Sequence, residues 1–207
     1  MVKNLSKLGP EAPVLTEDGF TFRDLNKNGR LDPYEDSRRP IDERVEDLLS
    51  QMTLEEKAGM MFHTMIAMNQ DGTLLEGEGA GPFGPVQTVD LVAKRLINHF
   101  NVYVVADPRQ MAEWYNRLQK LAERIRLGIP VTISSDPRHA FSTNPLANMM
   151  AGKFSQWPEP IGLAATGDPA LVREFGDIAR QEYVAVGIRT ALHPMACLLY
   201  TSDAADD

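Results

Sequence analysis

The stretch from Gly128 to Phe141, GIPVTISSDPRHAF, constrains the fold more than any other. Ile129, Val131, Thr132 and Ile133 are strand formers, and Gly128 with Pro130 punctuates the entry. The run therefore predicts a short, buried parallel strand with Asp136 at its carboxyl end. Pro137 cannot continue a hydrogen-bonded ladder and holds Asp136 in an extended conformation, so its carboxylate sits at a strand-to-loop corner. A fixed acceptor at such a corner suits a hydroxyl-rich ligand. Taken alone, the same residues serve equally well to cap a turn.

The rest of the chain repeats this strand-and-helix grammar. Residues 1–22 read as a polar extended arm, with Phe20 and Phe22 alternating about Thr21 as in a brief strand. Ile41, Val45, Leu48, Leu49 and Met52 recur at helical spacing. Thr53 and Glu56 have the spacing of a capping box and open a second, short helix. Met60–Met68 reads as a first buried strand, and the glycines between 72 and 85 mark a loop. A helix over 89–100 then leads into a strand, NVYVVADP, that ends on Asp107 and Pro108. The next helix, 109–127, carries Met111, Trp114, Leu118, Leu121 and Ile125 on one stripe. Residues 142–162 read as a long loop of the kind that is usually functional. Asp168 and Pro169 start a helix whose stripe is Leu171, Val172, Phe175, Ile178, Ala179, Tyr183 and Val186, and Gly187 stops it. GIRTALHPM reads as a further strand. At least three alternations predict an α/β fold, a parallel sheet with helices outside it.

Composition narrows the partners. A formal charge of −8 and a pI near 5.0 give no basic footprint for nucleic acid or anionic lipid. A neutral ligand is the easier partner. No run of about 18 apolar residues exists to span a membrane, and MVKNLSKLGPEAP lacks the apolar core of a signal peptide. The chain as written is expected in the cytoplasm, or in the periplasm or outside the cell if an upstream signal is missing. The single cysteine, Cys197, cannot form an internal disulfide. Nothing here speaks to oligomeric state.

A second motif precedes the first helix. DLNKNGRLDPYE satisfies the twelve-residue calcium-loop pattern of EF-hands. Asp24, Asn26 and Asn28 offer side-chain oxygens, Gly29 the sharp turn, Arg30 its carbonyl, Asp32 a direct or water-mediated contact, and Glu35 a bidentate carboxylate. Such a cation would be structural. The competing reading is a turn in which these side chains bond their own backbone.

Three blocks carry a family resemblance: YEDSRRPIDERVEDLLSQMTLEEKAG, NRLQKLAERIRLGIPVTISSDPRHAF and IGLAATGDPALVREFGDIARQEYVAVGIRTALHPMA. Running from about Asp24 to Ala196, they resemble family 3 glycoside hydrolases, in particular the β-glucosidase branch. The resemblance implies a partial (β/α)8 TIM-type barrel, truncated after about the fourth strand, over residues 41–196. Residues 1–40 would be an arm carrying the calcium-type loop. At 207 residues the chain is short of the roughly 250 of a complete barrel. Residues 197–207, CLLYTSDAADD, resemble the translation of a sequencing adaptor and are expected not to be native.

What the resemblance implies for chemistry centres on Asp136, which matches the aspartate that binds hydroxyls of the non-reducing sugar. Arg138 and His139 could line the same pocket, although hydrogen bonding within the loop is the commoner role for each. The family's nucleophilic aspartate, its arginine and its Lys-His pair would fall beyond Ala196, so no catalytic residue is assigned. Glu182, in a helix body, and Asp107, at a strand end, are not promoted in their place. The implied activity of the intact protein is retaining hydrolysis of β-glucosides to release terminal β-D-glucose, with no catalytic cofactor. The alternatives are a β-xylosidase or other exo-acting enzyme of the family, or a non-catalytic calcium-stabilised sugar-binding domain.

Overall fold

The computed structural model describes residues 8–76, 87–102, 107–140 and 151–192. Its centre is a parallel sheet of four strands in chain order: β3 (His63–Ile66), β4 (His99–Val102), β5 (Thr132–Ser135) and β6 (Ile188–Ala191). The register sets His63 beside His99 and His99 beside Thr132. Ahead of the sheet lie an antiparallel hairpin, β1 (Val14–Glu17) and β2 (Phe20–Arg23), and two helices, α1 (Ile41–Gln51) and α2 (Leu54–Met60). The hairpin turn is Asp18-Gly19 with φ of 53° and 79°, the doubly positive conformation of a type I′ turn.

Alternation along each strand gives the sheet two unlike faces. Ile66, Phe100, Val102, Ile133 and Ile188 share one buried cluster with Met111, Trp114, Leu118 and Leu121. Those four belong to α3 (Pro108–Glu123), the connection from β4 to β5. Tyr183, on α5 (Pro169–Ala185) between β5 and β6, joins the same cluster. A Cβ placed on Gly187, just past α5, would lie 2.4 Å from the Tyr115 ring on α3. Hence α3 and α5 cover one side of the sheet. The opposite side carries His63, Met65, His99, Asn101, Thr132 and Ser134 and is mostly polar.

Several local signals act as expected. Thr53 Oγ1 accepts from the Glu56 N–H at 3.2 Å, and Glu56 Oε2 accepts from the Thr53 N–H at 2.9 Å, which completes the capping box. Asp168 caps α5 by accepting from Ala170 and Leu171 N–H, with Pro169 in the first turn. Glu56 is also held by Arg126, whose Nε donates to Oε1 at 3.0 Å, so α2 is tied to the turn before β5. Burial pushes the Glu56 pKa up, but Arg126 and the Thr53 N–H outweigh it and leave the group below its ordinary 4.5. A depressed carboxyl stabilises the fold above its unfolded pKa, and the contribution fades as pH falls through the folded value. Glu56→Gln should therefore lower Tm at neutral pH, and the gap from the parent should close between about pH 6 and pH 3. A gap that does not change with pH would show that the ion pair is not the stabilising element.

Other expectations are corrected. The run read as a strand over 60–68 splits: Met60 ends α2, and β3 holds only His63–Ile66. The helix over 89–100 is a π-helical turn, Asp90–Lys94, because pairing with β3 and β5 draws His99 and Phe100 into β4. The turn closes through Leu96 at φ 58°, and the Ile97 N–H bonds back to the Leu91 carbonyl. Within the segment read as a loop over 142–162, a short helix α4 (Pro160–Ala165) begins at Pro160, and residues 142–150 lie outside the described residues. The stripe read on α1 is not buried: Ile41, Val45 and Leu49 are exposed, and only Met52, just past the helix, is buried. The tail 197–207 and the family positions beyond Leu192 also lie outside the described residues. No helix among the described residues is long and apolar enough to cross a membrane.

Candidate functional site

Asp136 follows β5 directly, at the carboxyl end of the parallel sheet, where α/β folds place their ligands. Its side chain is half-buried. Asn101, on the polar face of β4, donates from Nδ2 to Asp136 Oδ2 at 2.9 Å. One bond leaves Oδ1 and the second lone pair of Oδ2 able to accept from a ligand. The backbone is fixed independently of the carboxylate: the Asp136 carbonyl accepts from Tyr183 Oη at 3.0 Å and from Ser135 Oγ at 2.9 Å.

Arg138 and His139 are both buried and take the hydrogen-bonding role in the loop. The Arg138 guanidinium donates from Nε to Ser135 Oγ at 2.5 Å and from a terminal nitrogen to the Val102 carbonyl, strapping the ends of β4 and β5 together. Burial lowers its pKa to about 10, with Tyr183 and Asp136 opposing the shift, so the group stays cationic at neutral pH. That cation and the Asp136 carboxylate lie within electrostatic reach of one another. His139 Nε2 pairs with Glu182 Oε2 at 2.8 Å and packs its ring on Phe154, Phe175 and Tyr183.

The two acids left out of the chemistry have structural partners. Glu182 accepts from the Ser155 N–H at 3.0 Å and from Ser155 Oγ at 2.9 Å, besides His139, and so fastens the segment after residue 151 to α5. Asp107 caps α3 by accepting from the Arg109 N–H at 3.0 Å and pairs with Lys153.

The calcium-type loop lies at the other end of the sheet. Lys27 Nζ donates to the Ile125 carbonyl at 2.6 Å, and Tyr34 Oη donates to the Leu127 carbonyl at 3.1 Å. Gly128, at φ 56°, lets the backbone approach so closely that a Cβ there would lie 2.8 Å from the Leu25 carbonyl oxygen. The loop thus supports the entry to β5, while Asp136 lies at its exit. Within the loop, Gly29 makes the sharp turn at φ 79°. Asp24 accepts from the Asn28 and Gly29 N–H groups at 3.0 and 2.9 Å. Glu35 accepts from Leu25, Asn26 and Asp32 N–H. Asn26 and Asn28 donate their side-chain amides to Asp32 Oδ2 at 2.5 and 2.6 Å. Arg30 contributes its N–H to Asn28 Oδ1 at 2.8 Å.

Asp24, Asp32 and Glu35 thus accept from the loop's own N–H and amide groups, Asn26 and Asn28 turn their amide nitrogens toward Asp32, and these are the bonds that hold such a turn without an ion. Among the described residues no group of three or more His, Cys, Asp and Glu side chains is gathered as a metal site.

The residue that sequence reading missed is Asn101. Its signal was the alternation in HFNV, where His99 and Asn101 share one face while Phe100 and Val102 share the other. Reading His99 and Phe100 as the end of a helix, with the strand beginning at Asn101, hid that phase.

The chain is 50% identical over 189 residues to the periplasmic β-glucosidase/β-xylosidase of Dickeya chrysanthemi, covering 90% of the chain and 28% of that protein. It is 47% identical over 176 residues to β-glucosidase C of Emericella nidulans, covering 84% of the chain and 27% of that protein. The chain is a homologue of these glycosidases. It spans under a third of the length of these relatives. No family model matches it. The kinship bears out the likeness to glycosidases read from the three sequence blocks.

Proposed function

We propose that this chain is the sugar-gripping part of a retaining β-glucosidase, with Asp136 as the acceptor for hydroxyls of the terminal non-reducing glucose. The observation that carries the reading is the half-buried Asp136 carboxylate at the carboxyl end of β5, bonded once by Asn101 and open to further donors, in a homologue of β-glucosidases. An ionised carboxylate accepts from two vicinal hydroxyls, and such charge-assisted bonds are about twice as strong as neutral ones. Bonds to ring hydroxyls can also tighten as the oxocarbenium-like transition state forms. A β-xyloside is the second substrate class, favoured by the double name of the Dickeya relative.

The sheet supports a barrel reading: its helices cover the apolar face, and its opposite face is polar, as a barrel interior near a site would be. The Dickeya relative's name places that protein in the periplasm, which favours export over a cytoplasmic location for the whole protein. The test is product stereochemistry. The whole protein should release glucose from an aryl β-glucoside with the β-anomer first by proton NMR; α-glucose first, or no release, would contradict the reading.

A structural calcium ion in the loop from Asp24 to Glu35 belongs to the same proposal. The ligand spacing and the turn at Gly29 support it; Asp24, Asn26, Asn28, Asp32, Glu35 and the Arg30 carbonyl would hold the ion beneath β5. The expected result is a Tm that rises with millimolar-scale calcium in the parent and does not respond in Glu35→Gln. Equal behaviour of the two proteins would remove the ion from the account.

A further inference from the structure

We infer that Asn101 is a positioning residue that aims Asp136 at the sugar, and that it is itself set by a hydrogen-bonded chain from His63 through Ser134. The inference rests on the sugar-binding reading of Asp136. Four groups on three neighbouring strands and the loop after β5 stand in series: His63 Nε2 and Ser134 Oγ are 2.7 Å apart, Ser134 Oγ and Asn101 Oδ1 3.2 Å, and Asn101 Nδ2 and Asp136 Oδ2 2.9 Å.

The chemistry of each group fixes the direction of the chain. An ionised carboxylate only accepts, so the Asn101 amide must turn its NH2 toward Asp136 and its oxygen toward Ser134. Ser134 Oγ has one proton, shared between Asn101 Oδ1 at 3.2 Å and the Phe100 carbonyl at 3.3 Å, and in giving it to either it accepts from His63 with Nε2 as the protonated nitrogen. One arrangement satisfies every link. Burial enforces the link between Ser134 and Asn101, which are 1% and 8% exposed and cannot exchange one another for water at low cost, while His63 stands at the exposed end of the chain. Met65 Sδ, 3.5 Å from Asn101 Nδ2, closes the remaining side of the amide.

The consequence is pre-organisation. A carboxylate on a strand-to-loop corner can rotate about its terminal torsions, and only one rotamer can meet two vicinal hydroxyls. Asn101 occupies Oδ2 from the sheet side and so directs Oδ1 and the free lone pair away from the sheet. Arg138, cationic and strapped to Ser135 and Val102, supplies field but does not select that rotamer.

The test uses the 207-residue chain, isotopically labelled and titrated with methyl β-D-glucoside by NMR. Asn101→Ala should weaken binding by about 10- to 100-fold, the range for losing a hydrogen bond to a charged group. Asn101→Asp keeps the volume but sets a second carboxylate against Asp136. Its loss should deepen from pH 5 to pH 8, since two adjacent carboxylates resist joint ionisation. The other titratable groups around the pair, His63, His99, Arg138 and Tyr183, are common to parent and variant, so the difference between them isolates the pair. A residue that merely fills space would give the same loss at both values.

Binding by Asn101→Ala within about twofold of the parent, with Asp136→Ala silent, would overturn the positioning role and leave the sugar reading standing. Binding by Asp136→Ala equal to the parent, or no binding by the parent, would overturn the sugar reading itself. If both Asn101 variants lose their amide dispersion, Asn101 is structural and the inference fails.

Discussion

Asp136→Ala should abolish recognition of a β-glucoside while leaving the fold intact. Two hydroxyl bonds to a carboxylate, each worth about 1.5–3 kcal/mol, correspond to a loss of at least about 100-fold in affinity or in kcat/KM of the whole protein. The structure explains why stability should survive. Tyr183 and Ser135 hold this residue through its backbone carbonyl, which the substitution keeps, and only the bond from Asn101 disappears. Asp136→Asn should fall between the two, because the amide still accepts from one hydroxyl but no longer carries charge. A Tm close to the parent's, together with lost binding, is the expected pair of results. Lost binding that merely follows unfolding would not support the role.

Trp114→Ala should have the largest effect on stability. Trp114 is fully buried on α3 against the apolar face of the sheet, in the cluster that also holds Phe100, Val102 and Ile133. Truncating a buried tryptophan costs about 3–5 kcal/mol, a large part of the 5–15 kcal/mol that holds a typical domain. For a chain of this size that is a fall in Tm of roughly 6–20 °C. Trp114→Phe should cost far less, since it keeps most of the apolar volume and removes an Nε1–H that finds no partner among the described residues. Thermal melts followed by circular dichroism settle both; a small shift for Trp114→Ala would mean that α3 is not the element closing the core.

The parts of this fold that could be read from sequence were those decided locally. The capping box of Thr53 and Glu56, the Asp168-Pro169 start and the Gly187 stop depend on bonds within one turn, and each lies where its residues predict. The stripe from Met111 to Leu121 was equally plain, because a strongly amphipathic helix between two strands can only face the sheet. Tertiary pairing decided the rest. His99 and Phe100 continue a helical pattern in sequence, yet two neighbouring strands offer them a ladder, so the helix stops as a π-helical turn. The hairpin was a local signal passed over, since Asp18-Gly19 is a strong type I′ pair. Ile41, Val45 and Leu49 show the opposite limit: periodicity marks an apolar face but does not say what covers it.

The site was legible to the same degree. Pro137 and the apolar run before it placed Asp136 at the end of β5, and the loop roles of Arg138 and His139 followed from their position. The alternation in HFNV could have put Asn101 on the polar face, but its partner was not legible, because that comes from a register that sets β4 beside β5. Only the sheet brings residues 35 positions apart within 2.9 Å.

The most direct measurement is the structure of the intact protein with glucose soaked in. The account predicts ring hydroxyl oxygens about 2.5–3.0 Å from the Asp136 carboxylate, with the Asn101 amide still bonded to its other side. A glucose ring bound elsewhere, with Asp136 facing water, would contradict it.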